Sequence, residues 1–264
     1  RSILLASALA AFLWYVLPKL LVMIKGKRRI TIHEKKWKKD TVYLYQMYGT
    51  KSMSSFSPFC IKIEAFLRLH TIPFERRDVL VTKGENGKVP FIELNGEQTA
   101  DSNIIIAKLA KQFNVQEYEN DEDANIDHSI DHSICSMADF RTYNLLVHYK
   151  MSCNQKILMR ALAAGRVPDV IVDWLAPVVG YLLRSEYHRR INESIGKFTN
   201  EQFDELARKD LEVYRGLLGS KRFLFGDRLT TADCTLFGHL AATYYLRQDS
   251  LPMHTLASER FEPL

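Results

Sequence analysis

Ser57-Pro58-Phe59-Cys60 is the stretch whose residue types could do chemistry: a hydroxyl, a proline and, within one turn, a thiol. Phe59, Ile63, Phe66, Leu67 and Leu69 recur at helical spacing, so a helix is predicted to open at Pro58. Serine before such a helix can accept from an orphan backbone N–H, and proline at the first position needs none. The helix N-terminus carries partial positive charge and suits a thiolate or carboxylate beside it. Cys60 reads as a buried small hydrophobe rather than a nucleophile. Position 57 holds no partner cysteine, so disulfide-reductase chemistry is not expected.

The elements around this stretch follow from local pattern. Val42-Tyr43-Leu44-Tyr45 predicts a first strand, and Pro73 to Leu80 a second, after a proline that stops the helix. Gly87-Lys88-Val89-Pro90 leads into the strand Phe91-Ile92-Glu93-Leu94, and Asn95-Gly96 is a strong hairpin signal. Gln98 to Ala100 is the return strand, and Asp101-Ser102 caps a helix over Asn103 to Phe113. A polar, acidic run from Gln116 to Asp123 reads as a linker. Beyond about Ile126 the apolar spacing is helical throughout, with runs over Val170 to Leu183, Glu201 to Leu218 and Asp233 to Leu246. A small mixed domain followed by helices alone is an α+β chain with an all-α second domain.

Within the helical part, Thr230 and Asp233 form a capping-box pattern: the hydroxyl takes the N3 amide and the carboxylate returns to the cap amide. Leu229 and Cys234 are spaced for a hydrophobic staple. Loss of the threonine hydroxyl is expected to cost about 1 kcal/mol. Its role is folding, not chemistry.

The chain has 264 residues, 47% of them hydrophobic, and a formal net charge of +5. The four cysteines, Cys60, Cys135, Cys153 and Cys234, are widely spaced, which argues against a disulfide framework or structural zinc and fits a reducing compartment. Ile3 to Ile24 is apolar with few interruptions, close to the ~20 residues that span a bilayer, and Trp14 and Tyr15 suit its interface. A basic collar follows: Lys25, Lys27, Arg28, Arg29, Lys35, Lys36, Lys38 and Lys39 against Glu34 alone. Charge after the apolar run, not before it, is the order of an anchor rather than a cleaved signal peptide. By the positive-inside rule, everything after the collar faces the cytosol. The collar accounts for more than the whole charge excess, so the body is mildly acidic and nucleic acid is not an expected partner. The boundaries are 1–24 for a transmembrane signal-anchor, 25–40 for the collar, 41–115 for the mixed domain and 126–264 for the helices. A start at Arg1 and an end within Ser258 to Leu264 read as a trimmed open reading frame.

Ser-Pro-Phe-Cys after strand one, Val-Pro before strand three and Asp-Ser before the last helix resemble the thioredoxin-like half of glutathione transferases. Phe-Leu-Phe-Gly-Asp before the capping box resembles the start of the central buried helix in their C-terminal domains. Tyr-Leu-Tyr-Gln, a long polar loop, Ser57 to Glu64, Gly87 to Glu97 and Asp101 to Ile106 are most similar to the failed-axon-connections and cadmium-responsive proteins, which are relatives of metaxins. The resemblance runs from about Val42 to the C-terminus. It implies a glutathione-transferase-like fold, membrane association and, in some members, a link to metal or oxidative stress.

Carried over by position, Ser57 would hydrogen-bond the glutathione sulfur and favour its thiolate. Val89, before a cis Pro90, would offer its backbone to the cysteinyl moiety. Asp101 and Ser102 would hold the γ-glutamyl end, and Lys88 the glycyl carboxylate. Plainer roles stand beside these: Ser57 and Asp101-Ser102 as helix caps, Pro90 as a shaper of the fold. Two departures from the transferase pattern count against catalysis. The loop Met47 to Phe56 is long, and its Ser52, Ser54 and Ser55 compete with Ser57. Only Val81 to Lys88 remains for the usual second helix.

In the repeat Ile126 to Ser133, His128 and His132 share a helix face near Asp127 and Asp131, a geometry that can hold a metal, but further ligands are lacking and no metal is expected. The first functional reading is a membrane-anchored, cytosol-facing transferase-like protein that binds or conjugates glutathione. The second is a non-catalytic, metaxin-like adaptor with a protein partner or a second copy. The expected site is an intracellular membrane, with mitochondrial outer membrane, endoplasmic reticulum and lysosome all left open.

Overall fold

A computed structural model of the chain describes residues 30–50, 52–79, 82, 84–118, 122–152, 159, 160, 163 and 167–245. The apolar stretch predicted as an anchor, 1–24, lies outside the described residues. Among those described, no helix is long and apolar enough to cross a membrane.

The sheet has four strands: β1 (Val42–Met47), β2 (Phe74–Val79), β3 (Phe91–Leu94) and β4 (Glu97–Ala100), in the order β2-β1-β3-β4. β2 lies parallel to β1, whereas β3 and β4 form the predicted hairpin. Asn95 and Gly96 both have positive φ, at 52° and 80°, as a two-residue turn matched to strand twist requires. α1 (Pro58–Leu69) connects the parallel pair, and α2 (Ser102–Phe113) follows β4. Strand alternation sorts the residues. Val42, Leu44, Ile92 and Leu94 face Ile63, Phe66 and Leu67 of α1 and Ile105 and Leu109 of α2. Tyr43, Tyr45, Phe91 and Ala100 face the other way.

That second face is covered by chain from the basic collar. The Glu93 carboxylate, on a residue 1% exposed, accepts from the amides of His33 and Glu34 at 2.8 Å each and from the Tyr45 hydroxyl at 3.2 Å. The His33 ring stands 5.5 Å from Tyr45 and 5.9 Å from Phe91, which stack on each other at 4.4 Å. Asp40 and Asn95 exchange two hydrogen bonds, and Lys38 reaches Glu75 at 3.0 Å. Between β2 and β3 the described residues form turns, as the short spacing required. Residues 30–40 thus shelter part of a sheet face that would otherwise present aromatic rings and a carboxylate to water.

The helical half comprises α3 (Glu122–Ser136), a π-helical segment (Met137–Thr142), α4 (Tyr143–Ser152), α5 (Asp169–Ser194), α6 (Asn200–Leu218) and α7 (Thr231–Tyr244). α5 is longer than the apolar run suggested, continuing through a charged, arginine-rich end. α7 is the central helix. Its capping box forms, with the Asp233 carboxylate accepting from the Thr230 amide at 3.0 Å and the Leu224 amide at 2.9 Å. Two further carboxylates meet the same helix start: Glu117 takes the Thr231 amide at 3.0 Å and Asp131 the Ala232 amide at 2.9 Å. Each satisfies a donor that the helix itself leaves open. Asp131 is therefore a cap, and Asp127 pairs with Arg228 at 3.0 Å. No group of three or more metal-ligating side chains occurs among the described residues.

α7 crosses α1 at Gly238. A Cβ there would stand 2.6 Å from the Pro58 carbonyl and 2.9 Å from the Lys62 amide nitrogen. Both are backbone atoms, so no side-chain rotation relieves the clash. Gly238→Ala is expected to destabilise by roughly 1 kcal/mol, overpacking of ~1–3 kcal/mol outweighing a helix-propensity gain of ~1 kcal/mol. Urea denaturation checks this, and an unchanged or raised midpoint would refute the close crossing.

Candidate functional site

Strand register brings the candidate residues to one end of the sheet. Tyr45 pairs with Phe91 and Phe91 with Ala100. The end of β1, Pro90 and Asp101 therefore lie side by side at strand spacing, about 5 Å per step. The Val89-Pro90 bond is cis. Ser57 enters α1 at this end, beyond the loop that follows β1.

Ser57 caps α1 differently from expectation. Its hydroxyl makes no cap hydrogen bond; its carbonyl instead accepts from the Cys60 and Ile61 amides, each at 3.1 Å. The hydroxyl lies within hydrogen-bonding reach of the Cys60 thiol. Burial pushes that thiol up to about 11 despite contacts from Ser57, Met47 and Ser55, so Cys60 is a protonated core group at neutral pH. The competing serines are accounted for separately. Ser55 is fully buried; its hydroxyl donates to the Met47 carbonyl at 2.5 Å and accepts from the Ser57 amide at 3.2 Å. Ser52 is exposed, and its amide bonds the Thr50 hydroxyl at 3.2 Å; Ser54 is half-buried within the loop, three residues before α1's cap, its carbonyl accepting from the Gln46 side chain at 3.4 Å. Ser57 is left as the half-buried hydroxyl at the start of α1.

The long loop before it is a folded plug. Tyr48, Met53 and Phe56 pack with Ile61 of α1 and Ala241 and Ala242 of α7. Gly49 permits the turn, since a Cβ there would stand 1.9 Å from the Met53 carbonyl oxygen.

Asp101 sits at φ 80°, and its carboxylate accepts from the amides of Asn103 at 3.0 Å and Ile104 at 3.4 Å. The amides at the start of α2 thus point at the chain's own carboxylate, which remains exposed as an acceptor for a cation. Ser102 is 5% exposed. Val89 is half-buried, and among the described residues its main chain forms no hydrogen bond. Lys88 is exposed, its amide bonded to the Asn86 side chain at 3.0 Å.

Behind this end of the sheet lies an ionic cluster that the sequence reading missed. Lys62, 0% exposed, donates to Asp139 at 2.7 Å and to the Asn103 side chain at 2.7 Å. Asn103 also donates to Asp139 at 3.0 Å, and the His239 Nε2 meets the other Asp139 oxygen at 2.9 Å. Burial raises the Asp139 carboxyl, but the His239 hydrogen bond and the Lys62 charge outweigh it and hold it below the usual range. Burial lowers His239, which is neutral and donates through Nε2, leaving its buried Nδ1 without a partner among the described residues. Phe59 and Tyr143 line the same ring, at 5.2 and 6.0 Å. One signal was legible: Lys62 falls within the Phe59-Ile63-Phe66 face of α1, and a cation on a buried face requires a partner.

This architecture, a thioredoxin-like sheet before an all-helical domain, is that of glutathione transferases. A glutathione transferase of Ceriporiopsis subvermispora, solved in complex with glutathione, matches with TM-score 0.57 at 16% identity, over 83% of this chain and 91% of that one. A glutathione transferase of Phanerochaete chrysosporium matches with TM-score 0.56 at 15% identity, over 85% and 93%. Family models for the glutathione S-transferase N-terminal and C-terminal domains match residues 58–157 and 207–262. Among curated proteins, failed axon connections of Drosophila melanogaster is 30% identical over 88% of this chain, and a metaxin-2 homolog of Caenorhabditis elegans is 25% identical over 69% of it. This chain spans 57% of the former's length and 78% of the latter's. The chain belongs to the metaxin-related, glutathione-transferase-like family that includes failed axon connections.

Proposed function

We propose that the protein is a membrane-anchored, glutathione-binding member of this family. The observation that carries the reading is the convergence of Ser57, cis Val89-Pro90 and Asp101 at one sheet end, with the Ser57 hydroxyl free of cap duty and the Val89 main chain unpaired among the described residues. Val89 would pair its N–H and C=O with the cysteinyl unit. Asp101, with Ser102 beside it, would receive the γ-glutamyl ammonium, and Lys88 would meet the glycyl carboxylate. The Ser57 hydroxyl would donate to the sulfur, favouring its thiolate. The glutathione-bound relative supports this ligand. The apolar stretch 3–24 and the basic residues after it support anchoring in an intracellular membrane with the folded part in the cytosol. Similarity to failed axon connections leaves conjugation, and any part in metal or oxidative stress, to experiment.

A second reading, a non-catalytic adaptor, is favoured by the loop plug and by the sheet face covered by 30–40 where a second helix would stand, together with the metaxin-2 relative. Calorimetry of glutathione against the detergent-solubilised chain separates the two. Binding is expected, weakened about tenfold or more by Asp101→Asn, since a hydrogen bond to a charged group is worth ~1.5–3 kcal/mol. Asparagine tolerates the positive φ, so this variant keeps the turn. Ser57→Ala is expected to leave affinity near wild type but raise the pKa of the bound thiol, read from thiolate absorbance. No heat at several millimolar glutathione would leave the adaptor reading.

A further inference from the structure

Residues 30–40 are pinned to the sheet from the inside and carry their charge on the outside. The His33 and Glu34 amides close on Glu93, the Lys38 amide donates to the Tyr43 hydroxyl at 3.0 Å, and the Asp40 amide to the Asn95 side chain at 2.8 Å. Between these pins the chain turns at Lys35-Lys36 and again at Lys39-Asp40. Lys35, Lys36 and Lys39 are exposed there and form no ion pair among the described residues, whereas Lys38 pairs with Glu75. The neighbouring acids are already engaged. Glu34 and Glu75 pair with Arg77 and Asp78 with Arg76, while Asp40 accepts from the Asn95 and Gln112 side chains. Trp37, 42% exposed, stands between the two turns with its indole against Gly96. Three uncompensated cations and a half-open indole therefore sit on a strap whose backbone is fixed before any partner arrives, which lowers the ordering cost of binding.

We propose that this strap seats the folded part on an anionic phospholipid surface, with the strap-covered sheet face toward the bilayer and the helical half away from it. The seating rests on the anchoring reading above. Chain length and charge select lipid as the occupant. From Ile24, where the apolar stretch ends, to Ile30 is six residue steps, at most about 20 Å when fully extended. With 3–24 in the bilayer, the start of the strap stands within that distance of the headgroups. Lys25, Lys27, Arg28 and Arg29 make the basic charge continuous along this connection. Anionic lipid attracts each added lysine about fivefold, and tryptophan suits headgroup depth. The topology of the sheet supplies the orientation. The strap lies over the face of Tyr43, Tyr45 and Phe91, α1 and α2 cover the opposite face, and α7 packs on α1 at Gly238. The helical half thus stands across the sheet from the strap. The sheet end with Ser57, Pro90 and Asp101 opens along the membrane plane.

Amine acetylation of the full chain in lipid nanodiscs, read by mass spectrometry, tests the seating. Lys35, Lys36 and Lys39 are expected to acetylate about fivefold or more slowly in discs of phosphatidylcholine mixed with phosphatidylserine than in phosphatidylcholine alone. The difference is expected to shrink at high salt. Lys197 and Lys209, exposed in the helical half, are expected to react equally in both. Equal rates at the three strap lysines in disc-bound chain would leave them to solvent or to an acidic protein and overturn the seating alone. Comparable slowing at Lys197 and Lys209 would overturn the orientation. A chain recovered apart from the discs would refute the anchoring itself, and the seating with it.

Discussion

Replacing Lys62 with methionine is expected to lower the stability of the protein by about 3–5 kcal/mol, the cost of breaking a buried ion pair from one side. Asp139 would keep its His239 and Asn103 contacts but lose the cation that offsets its charge in a site excluded from water. Total stabilities are commonly ~5–15 kcal/mol, so this is a large share. Lys62 on α1, Asn103 on α2, Asp139 on the π-helical segment and His239 on α7 belong to both halves of the chain, and the cluster is their shared polar core. The double variant Lys62→Met/Asp139→Leu is expected to recover much of the loss, because apolar side chains of similar volume replace both charges. Urea midpoints at constant m-value read the difference. A loss under 1 kcal/mol in the single variant would mean that water reaches the pair.

Much of the frame was legible because local rules and global fold agree. Asn95-Gly96 fixed the hairpin, and with it the register that sets Pro90 beside Asp101. Thr230 and Asp233 announced the start of α7 because a capping box needs only neighbours in sequence. What stayed hidden depends on distant partners. Glu117 and Asp131 cap the same helix from more than a hundred residues away, so no local pattern marks them. Asp131 belongs to the histidine-aspartate repeat, where spacing alone suggested a metal face. The collar was read by charge alone, and charge gives no hint that the His33 and Glu34 amides would close on Glu93. At the candidate site, sequence named Ser57 as a helix cap or a thiol partner. The cap role goes to the backbone carbonyl, and Asp101 takes up the amides that a bound carboxylate would have sought.

Lys150→Met is expected to do the opposite of Lys62→Met and stabilise the protein at pH 7, by on the order of 2–4 kcal/mol. Lys150 is 7% exposed and forms no ion pair among the described residues; burial pulls its amine from 10.5 down to about 7. In the unfolded chain the same amine holds its proton until about pH 10.4. Between those values the unfolded state binds more protons, so stability rises with pH, at up to ~1.4 kcal/mol per unit for this one group. The penalty is fully present below pH 7 and is gone above the unfolded value. Methionine, similar in length and uncharged, removes it at every pH. Wild type and variant are therefore expected to differ most at and below pH 7 and to converge toward pH 10.5, by thermal or urea unfolding at matched ionic strength. If Lys150→Met instead destabilised the protein at pH 7 by a pH-independent amount, the stem of Lys150 would be needed for packing and its charge would not matter. The two lysines differ in partners, not in burial: both are out of water, but Lys62 has Asp139 and Asn103, whereas Lys150 has no anion of its own among the described residues.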